Sequence, residues 1–161
     1  MPQVSRLLAL VALACAGCGP GNTLEGSLGE ALDLRFDGVE VQADKATLTV
    51  LYQRGTVAPK DVVFKLVVRT AGLKIDPRVT IDLAPPDAAP LAVATRVVPN
   101  DPVHDLPLVK RGQLSLDAAP EAGKPLTGSF RLTFGEGGDA GKGRQALGTF
   151  TVTSVVAGVG S

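Results

Sequence analysis

Leu126-Thr-Gly-Ser-Phe-Arg-Leu-Thr-Phe134 and Leu147-Gly-Thr-Phe-Thr-Val-Thr153 decide the fold of this chain. The two stretches share Gly-Ser/Thr-Phe, 20 residues apart. In the first, Phe130, Leu132 and Phe134 fall on one side of an extended chain; in the second, Phe150 and Val152 do likewise. Apolar residues at every second position are the mark of a half-buried strand. Two such strands around a Gly-rich segment predict a β-hairpin. Gly128 and Gly148 sit inside these strands, where glycine weakens pairing, so bulges or a close approach of backbone are expected there.

The same alternation runs outward from this hairpin. Leu32, Leu34 and Phe36 alternate with Asp33 and Arg35, predicting a strand before a turn at Asp37-Gly38. Val39 and Val41 open a short second strand around Glu40, ending at a turn near Asp44-Lys45. Ala46, Leu48, Val50 and Tyr52 form one face of a central strand that ends at Arg54-Gly55. Val62, Phe64, Leu66 and Val68 alternate with Val63, Lys65, Val67 and Arg69, so the second face of this strand is also half apolar. After a turn at Ala71-Gly72, Val79, Ile81 and Leu83 alternate with Thr80 and Asp82, Leu91, Val93, Thr95 and Val97 fall on one face of another strand, and Leu114 and Leu116 make a short one. Three Pro-containing segments, Ala84–Pro90, Pro99–Pro107 and Ala118–Pro125, read as loops, because proline removes a donor and fixes φ.

No stretch of the domain offers three turns of helical periodicity free of Gly and Pro. About nine short strands at regular spacing predict an all-β fold, an antiparallel β-sandwich of Ig-like or similar architecture. The Trp and the Cys pair that mark true Ig domains are absent, so the expectation is one of architecture only.

The first 18 residues differ from everything after them. Met1–Arg6 carries one positive charge, Leu7–Ala14 is an unbroken apolar run, and Ala16-Gly17-Cys18 follows. This is the layout of a secretory signal, too short for the ~20 residues that span a bilayer. Ala16-Gly17-Cys18 resembles the lipobox of bacterial lipoproteins, with Cys15 standing where Leu is usual. The resemblance covers these residues alone. It implies cleavage before Cys18, a thioether to diacylglycerol at Cys18, acylation of the new amino terminus, and attachment to an envelope membrane. A second register, Ala12-Leu13-Ala14-Cys15, and an ordinary secretory signal cleaved near Ala14–Gly17 are the alternatives. Gly19 follows Cys18 where inner-membrane lipoproteins commonly carry Asp, so the resemblance points to the outer membrane. The expected division is a signal peptide at 1–17, the lipidated Cys18 and a short tether at 18–26, and one β-sandwich domain at 27–158.

Cleavage before Cys18 removes 17 of 161 residues and leaves 144, a comfortable single domain. The two cysteines both lie at the leader junction, so packing alone must hold the domain together. Without Arg6 the chain has 15 Lys and Arg against 16 Asp and Glu. That balance, with no basic patch, argues against nucleic acid and against polybasic attraction to lipid headgroups. Hydrophobic residues at 45% argue against disorder.

Signals for chemistry are weak. Gly135-Glu-Gly-Gly-Asp-Ala-Gly-Lys-Gly143 has Gly141-Lys142 but Glu136 and Gly143 where a P-loop needs Gly and a hydroxyl. Asp139 and Glu136 do not match a standard calcium loop. The segment reads as a flexible hairpin loop. His104 is the only histidine; with Asp101 or Asp105 it could form part of a hydrolase triad, but no Gly-x-Ser-x-Gly accompanies it. With no Trp and one Tyr there is little surface for stacking sugars or bases. The sequence therefore predicts a non-enzymatic domain without cofactor or metal, anchored to an envelope membrane, acting as a protein-interaction or structural module with an envelope protein partner. A small-ligand carrier with an apolar pocket between the sheets and a hydrolase built around His104 are the alternatives.

Overall fold

The Gly-Phe stretches pair as their pattern requires. In the computed structural model, which describes residues 21–99 and 101–158 and the side chains of all of these except 101–104, Leu126–Phe134 (β9) lies antiparallel to Gln145–Val152 (β10). The register sets Gly128 opposite Phe150 and Phe130 opposite Gly148. Each phenyl ring covers the glycine across the ladder. A Cβ on Gly128 would overlap the Phe150 ring and sit 2.7 Å from Leu116 Cδ2; one on Gly148 would overlap the Phe130 ring. Neither a bulge nor approaching backbone explains these glycines: side-chain rings do, and the arrangement is reciprocal.

β9 continues antiparallel to Val109–Leu116 (β8), which pairs with Thr80–Asp82 (β5); β10 pairs on its other side with Thr23–Glu25 (β1). This sheet has the order β1-β10-β9-β8-β5. The second sheet contains Gly38–Ala43 (β2), Thr47–Arg54 (β3), Asp61–Arg69 (β4), Ala92–Val98 (β6), Asp101–Asp105 (β7) and Val156–Ala157 (β11), in the order β11-β2-β3-β4-β6-β7. All its pairings are antiparallel except β11 with β2. The architecture is the all-β sandwich that the alternation predicts, with eleven strands and one short 3-10 turn, Ser27–Glu30, among the described residues.

The inward faces meet in one core. The six-stranded sheet contributes Val41, Leu48, Val50, Tyr52, Phe64, Leu66 and Val68; the five-stranded sheet contributes Leu114, Leu116, Phe130, Leu132, Phe134 and Phe150. Phe64 stacks on Phe130 across the sheets, centroids 5.7 Å apart. Tyr52 meets Phe36, Phe64 and Phe130 edge-on. Its hydroxyl donates to the Thr149 carbonyl at 2.9 Å, a polar tie between the two sheets.

Four expectations are corrected. Leu32–Phe36 is not a strand: it crosses from one sheet to the other, burying Leu34 while Phe36 packs on Tyr52. Pro99–Pro107 is not wholly irregular, since β7 pairs with β6 at the sheet edge, and the register shift between Arg96 and Val98 accommodates Pro102 without a ladder donor. β8 is longer than Leu114–Leu116. β6 forms where expected but turns its other face inward: Ala92, Ala94 and Arg96 are buried, while Val93 is 53% exposed. Arg96 is buried because its guanidinium donates to the carbonyls of Asp33 (2.9 Å) and Val63 (3.1 Å), fixing the crossing segment against the sheet. A buried charge is tolerable only when hydrogen bonds replace its water.

Candidate binding surfaces

The leader, Cys15 and Cys18 lie outside the described residues. Strand pairing begins within the stretch read as tether. Thr151 N–H donates to Asn22 Oδ1 at 2.6 Å, and Thr149 Oγ1 donates to the Gly21 carbonyl at 3.0 Å. Only Gly19 and Pro20 separate Cys18 from bonded chain, so whatever path they take, Gly21 lies within ~11 Å of Cys18.

His104, Asp101 and Asp105 fall on β7, an edge strand, with His104 in register with Arg96. The His104 side chain lies outside the described residues. Among the described residues no three His, Cys, Asp or Glu side chains gather as a metal site, and no helix is long and apolar enough to cross a membrane.

The Gly135–Gly143 loop is tied down at several points. Lys142 Nζ meets Asp139 Oδ1 at 2.9 Å, and this ammonium holds the Asp139 carboxyl below the usual carboxylate range. Arg144 Nε donates to the Asp139 carbonyl, and its NH1 reaches the Ser27 carbonyl (2.9 Å) and Glu30 Oε2 (2.6 Å). Gly141 is required here: a Cβ would meet the Gly135 carbonyl oxygen and the Gly137 nitrogen at 2.8 Å. Asp139 therefore faces a lysine of its own loop, a poor start for the calcium site considered from sequence.

Two surfaces have the shape of binding sites. The first is the outer face of the five-stranded sheet. Its register aligns side chains in rows across the strands. One row is all hydroxyl: Thr23, Thr149, Ser129, Ser115 and Thr80. Thr23 and Thr149 hydroxyls lie 2.9 Å apart, and those of Thr80 and Ser115 3.2 Å. The next row is Glu25, Leu147, Arg131, Gln113 and Asp82; the third contains Gln145, Thr133 and Arg111. Adjoining concavities of ≈ 670 and ≈ 430 Å³ lie over these rows and share Thr80, Gln113 and Arg131. Arg111 and Arg131 are exposed, and neither is ion-paired among the described residues. Alternation set Ser129, Arg131, Thr133 and Thr149 outward, but Thr23 and Glu25 lay in the stretch read as tether, and Arg111 and Gln113 lay ahead of the strand read at Leu114–Leu116; the rows exist only through the register, which the sequence does not state.

The second surface is an apolar concavity of ≈ 740 Å³ at one end of the sandwich, between Leu32, Leu106–Leu108 and Glu136–Ala140. Leu108 is 75% exposed. Gly21 and Asn22 bond to the opposite end of β10, so the chain enters the domain at the far end from this concavity. The space between the sheets holds the aromatic and leucine core just described.

Compared with known protein families, curated proteins and solved structures, the chain matches none.

Proposed function

We propose that this chain is a lipid-anchored, non-enzymatic domain of the bacterial envelope, acylated at Cys18 and working by binding an envelope protein partner. The observation that carries the reading is the apolar run Leu7–Ala14 followed by Ala16-Gly17-Cys18. The short path from Cys18 to the first hydrogen bonds of β10 supports it, because an anchor there would hold the sandwich with its strand ends toward the bilayer. Several acyl chains on one residue would make that hold firm, each buried CH₂ contributing ~0.8 kcal/mol. The apolar concavity around Leu108 would then face away from the membrane, where a partner can reach it. The absence of an Asp after Cys18 favours the outer membrane.

Metabolic labelling with an alkyne fatty acid tests the anchor. The wild type and Cys15→Ala should carry label, and Cys18→Ala should not. Label retained by Cys18→Ala would move the anchor to another residue; an unlabelled wild type would remove it.

A further inference from the structure

We propose that the outer face of the five-stranded sheet binds a carboxylate-bearing polysaccharide laid across the strands, with Arg111 and Arg131 taking its carboxylates and the Ser/Thr row its hydroxyls. This goes beyond the anchored reading, uses a different surface from the apolar end, and rests on that reading only for its orientation to the membrane.

The first argument is spacing. Hydrogen-bonded strands lie ~4.8 Å apart, so the five hydroxyls from Thr23 to Thr80 mark a line of ~19 Å. Thr149 is satisfied within the chain, donating to the Gly21 carbonyl and accepting from Thr23, so the hydroxyls left to a ligand are those of Thr23, Ser129, Ser115 and Thr80. An extended glycan advances by a similar step per sugar and presents hydroxyls at each. Side-chain hydroxyls and the amides of Gln113 and Gln145 both donate and accept, which suits that chemistry.

The second argument is charge. Exposed arginines on a sheet ordinarily find a cross-strand carboxylate. Arg111 and Arg131 do not, although they sit on a diagonal of neighbouring strands, roughly 7–8 Å apart at the backbone. Their cross-strand neighbours are Thr133, Gln113 and Leu147. The carboxylates of the middle row, Glu25 and Asp82, stand at its two ends, and Asp82 Oδ1 accepts the Ala84 N–H. The face thus carries Arg131 on its central strand and Arg111 on the strand beside it, with Glu25 and Asp82 on the two edge strands and Asp82 diagonal to Arg111. That arrangement draws an anionic group inward, and a guanidinium can hold a carboxylate by two parallel bonds.

The third argument is what the face lacks. All six aromatic side chains of the chain lie in the core or pack against it. A neutral glycan would find no ring to stack on, so recognition has to come from hydrogen bonds and charge. This selects acidic over neutral polysaccharide. Held at Cys18, the strands would run away from the bilayer and the rows parallel to it, so a glycan layer lying along the membrane would meet the rows lengthwise.

The test uses the full chain purified in detergent, with fluorescent oligogalacturonate as probe and labelled maltodextrin and polyglutamate as comparators. Saturable oligogalacturonate binding is expected, at least tenfold tighter than to either comparator and weaker as salt rises. The pair Arg111→Gln/Arg131→Gln should weaken it at least tenfold with an unchanged melting temperature, and the charge-matched pair Lys45→Gln/Lys60→Gln should leave it intact. Absence of binding, or equal losses in the two pairs, would overturn the site. Equal binding of polyglutamate would overturn the glycan and indicate an acidic protein instead. The assay does not depend on acylation, so its failure leaves the anchor to the labelling result.

Discussion

Gly128, Phe130, Gly148 and Phe150 form a crossed square in which each glycine exists for the ring opposite. An alanine at 148 would overlap the Phe130 ring and bring a methyl to 2.7 Å from Tyr52 Oη, between two sheets already in contact. Overpacking of this kind costs about 1–3 kcal/mol or more, so Gly148→Ala should lower Tm by roughly 5–10 °C. Gly38→Ala, with nothing within 4 Å of the new methyl, should change it little. Parallel thermal melts of the two variants check this. Tyr52 carries a second prediction. Burial pushes its phenol above the usual value. A free phenol titrates near pH 10, so the stability due to the neutral folded phenol is fully present below about pH 10 and is lost as pH rises toward the folded value. Tyr52→Phe should be less stable by about 1 kcal/mol at neutral pH, from the lost bond to Thr149, yet lose less on raising pH from 9 to 11; denaturant titrations across that range read both effects. The Gly-Phe repeat was legible in the sequence and its reason was not. The reason lies in the register that pairs 128 with 150, and that is set by the whole hairpin.

At the scale of elements, the strands that alternate cleanly were readable, and those dominated by neighbours were not. β6 looks as though Val93 and Val97 should be inside; instead Ala92 and Ala94 leave room for the opposing sheet, and Arg96 finds two carbonyls. Leu32–Phe36 has a strand's periodicity but no strand beside it, and Arg96 bonds its Asp33 carbonyl instead. β7 hides among three prolines, a composition suited to an edge that must not recruit further strands. Nothing in one dimension couples Arg96 to Asp33, 63 residues away. The β9–β10 loop is joined to the Ser27–Glu30 turn by the Arg144 side chain, with the Ser27 hydroxyl accepting the Gln145 N–H just after it. Arg144→Ala should speed amide exchange at residues 27–30 and 136–143 while leaving β3 and β4 protected, as measured by hydrogen exchange with mass spectrometry. Exchange that stays unchanged at both segments would mean the backbone bonds from Gly135 to Leu108 and from Arg144 to Gly141 suffice.

For the molecule as a whole, the chain enters at one end of the sandwich and the Leu108 concavity lies at the other. A photo-reactive residue at Leu108 should therefore crosslink an envelope protein in cells, and one at Lys45, in the β2–β3 turn at the entry end, should not. Equal products from both sites would argue against a polarised domain. The fold class was legible because a sandwich is written locally, strand by strand. The polar rows and the end concavity were not, because each gathers residues from several strands or loops. If Cys18 is anchored and a partner bound as proposed, a pull between the two passes through β1. β1 is only Thr23–Glu25, but it lies along β10, and traction on Gly21 would act along the strand axis. Its ladder bonds, the Asn22 and Gly21 contacts and the paired threonine hydroxyls would then resist together in shear, where a strand lifted from its end would release them one by one. With Cys18 anchored as proposed, this three-residue strand would be loaded in its strongest direction.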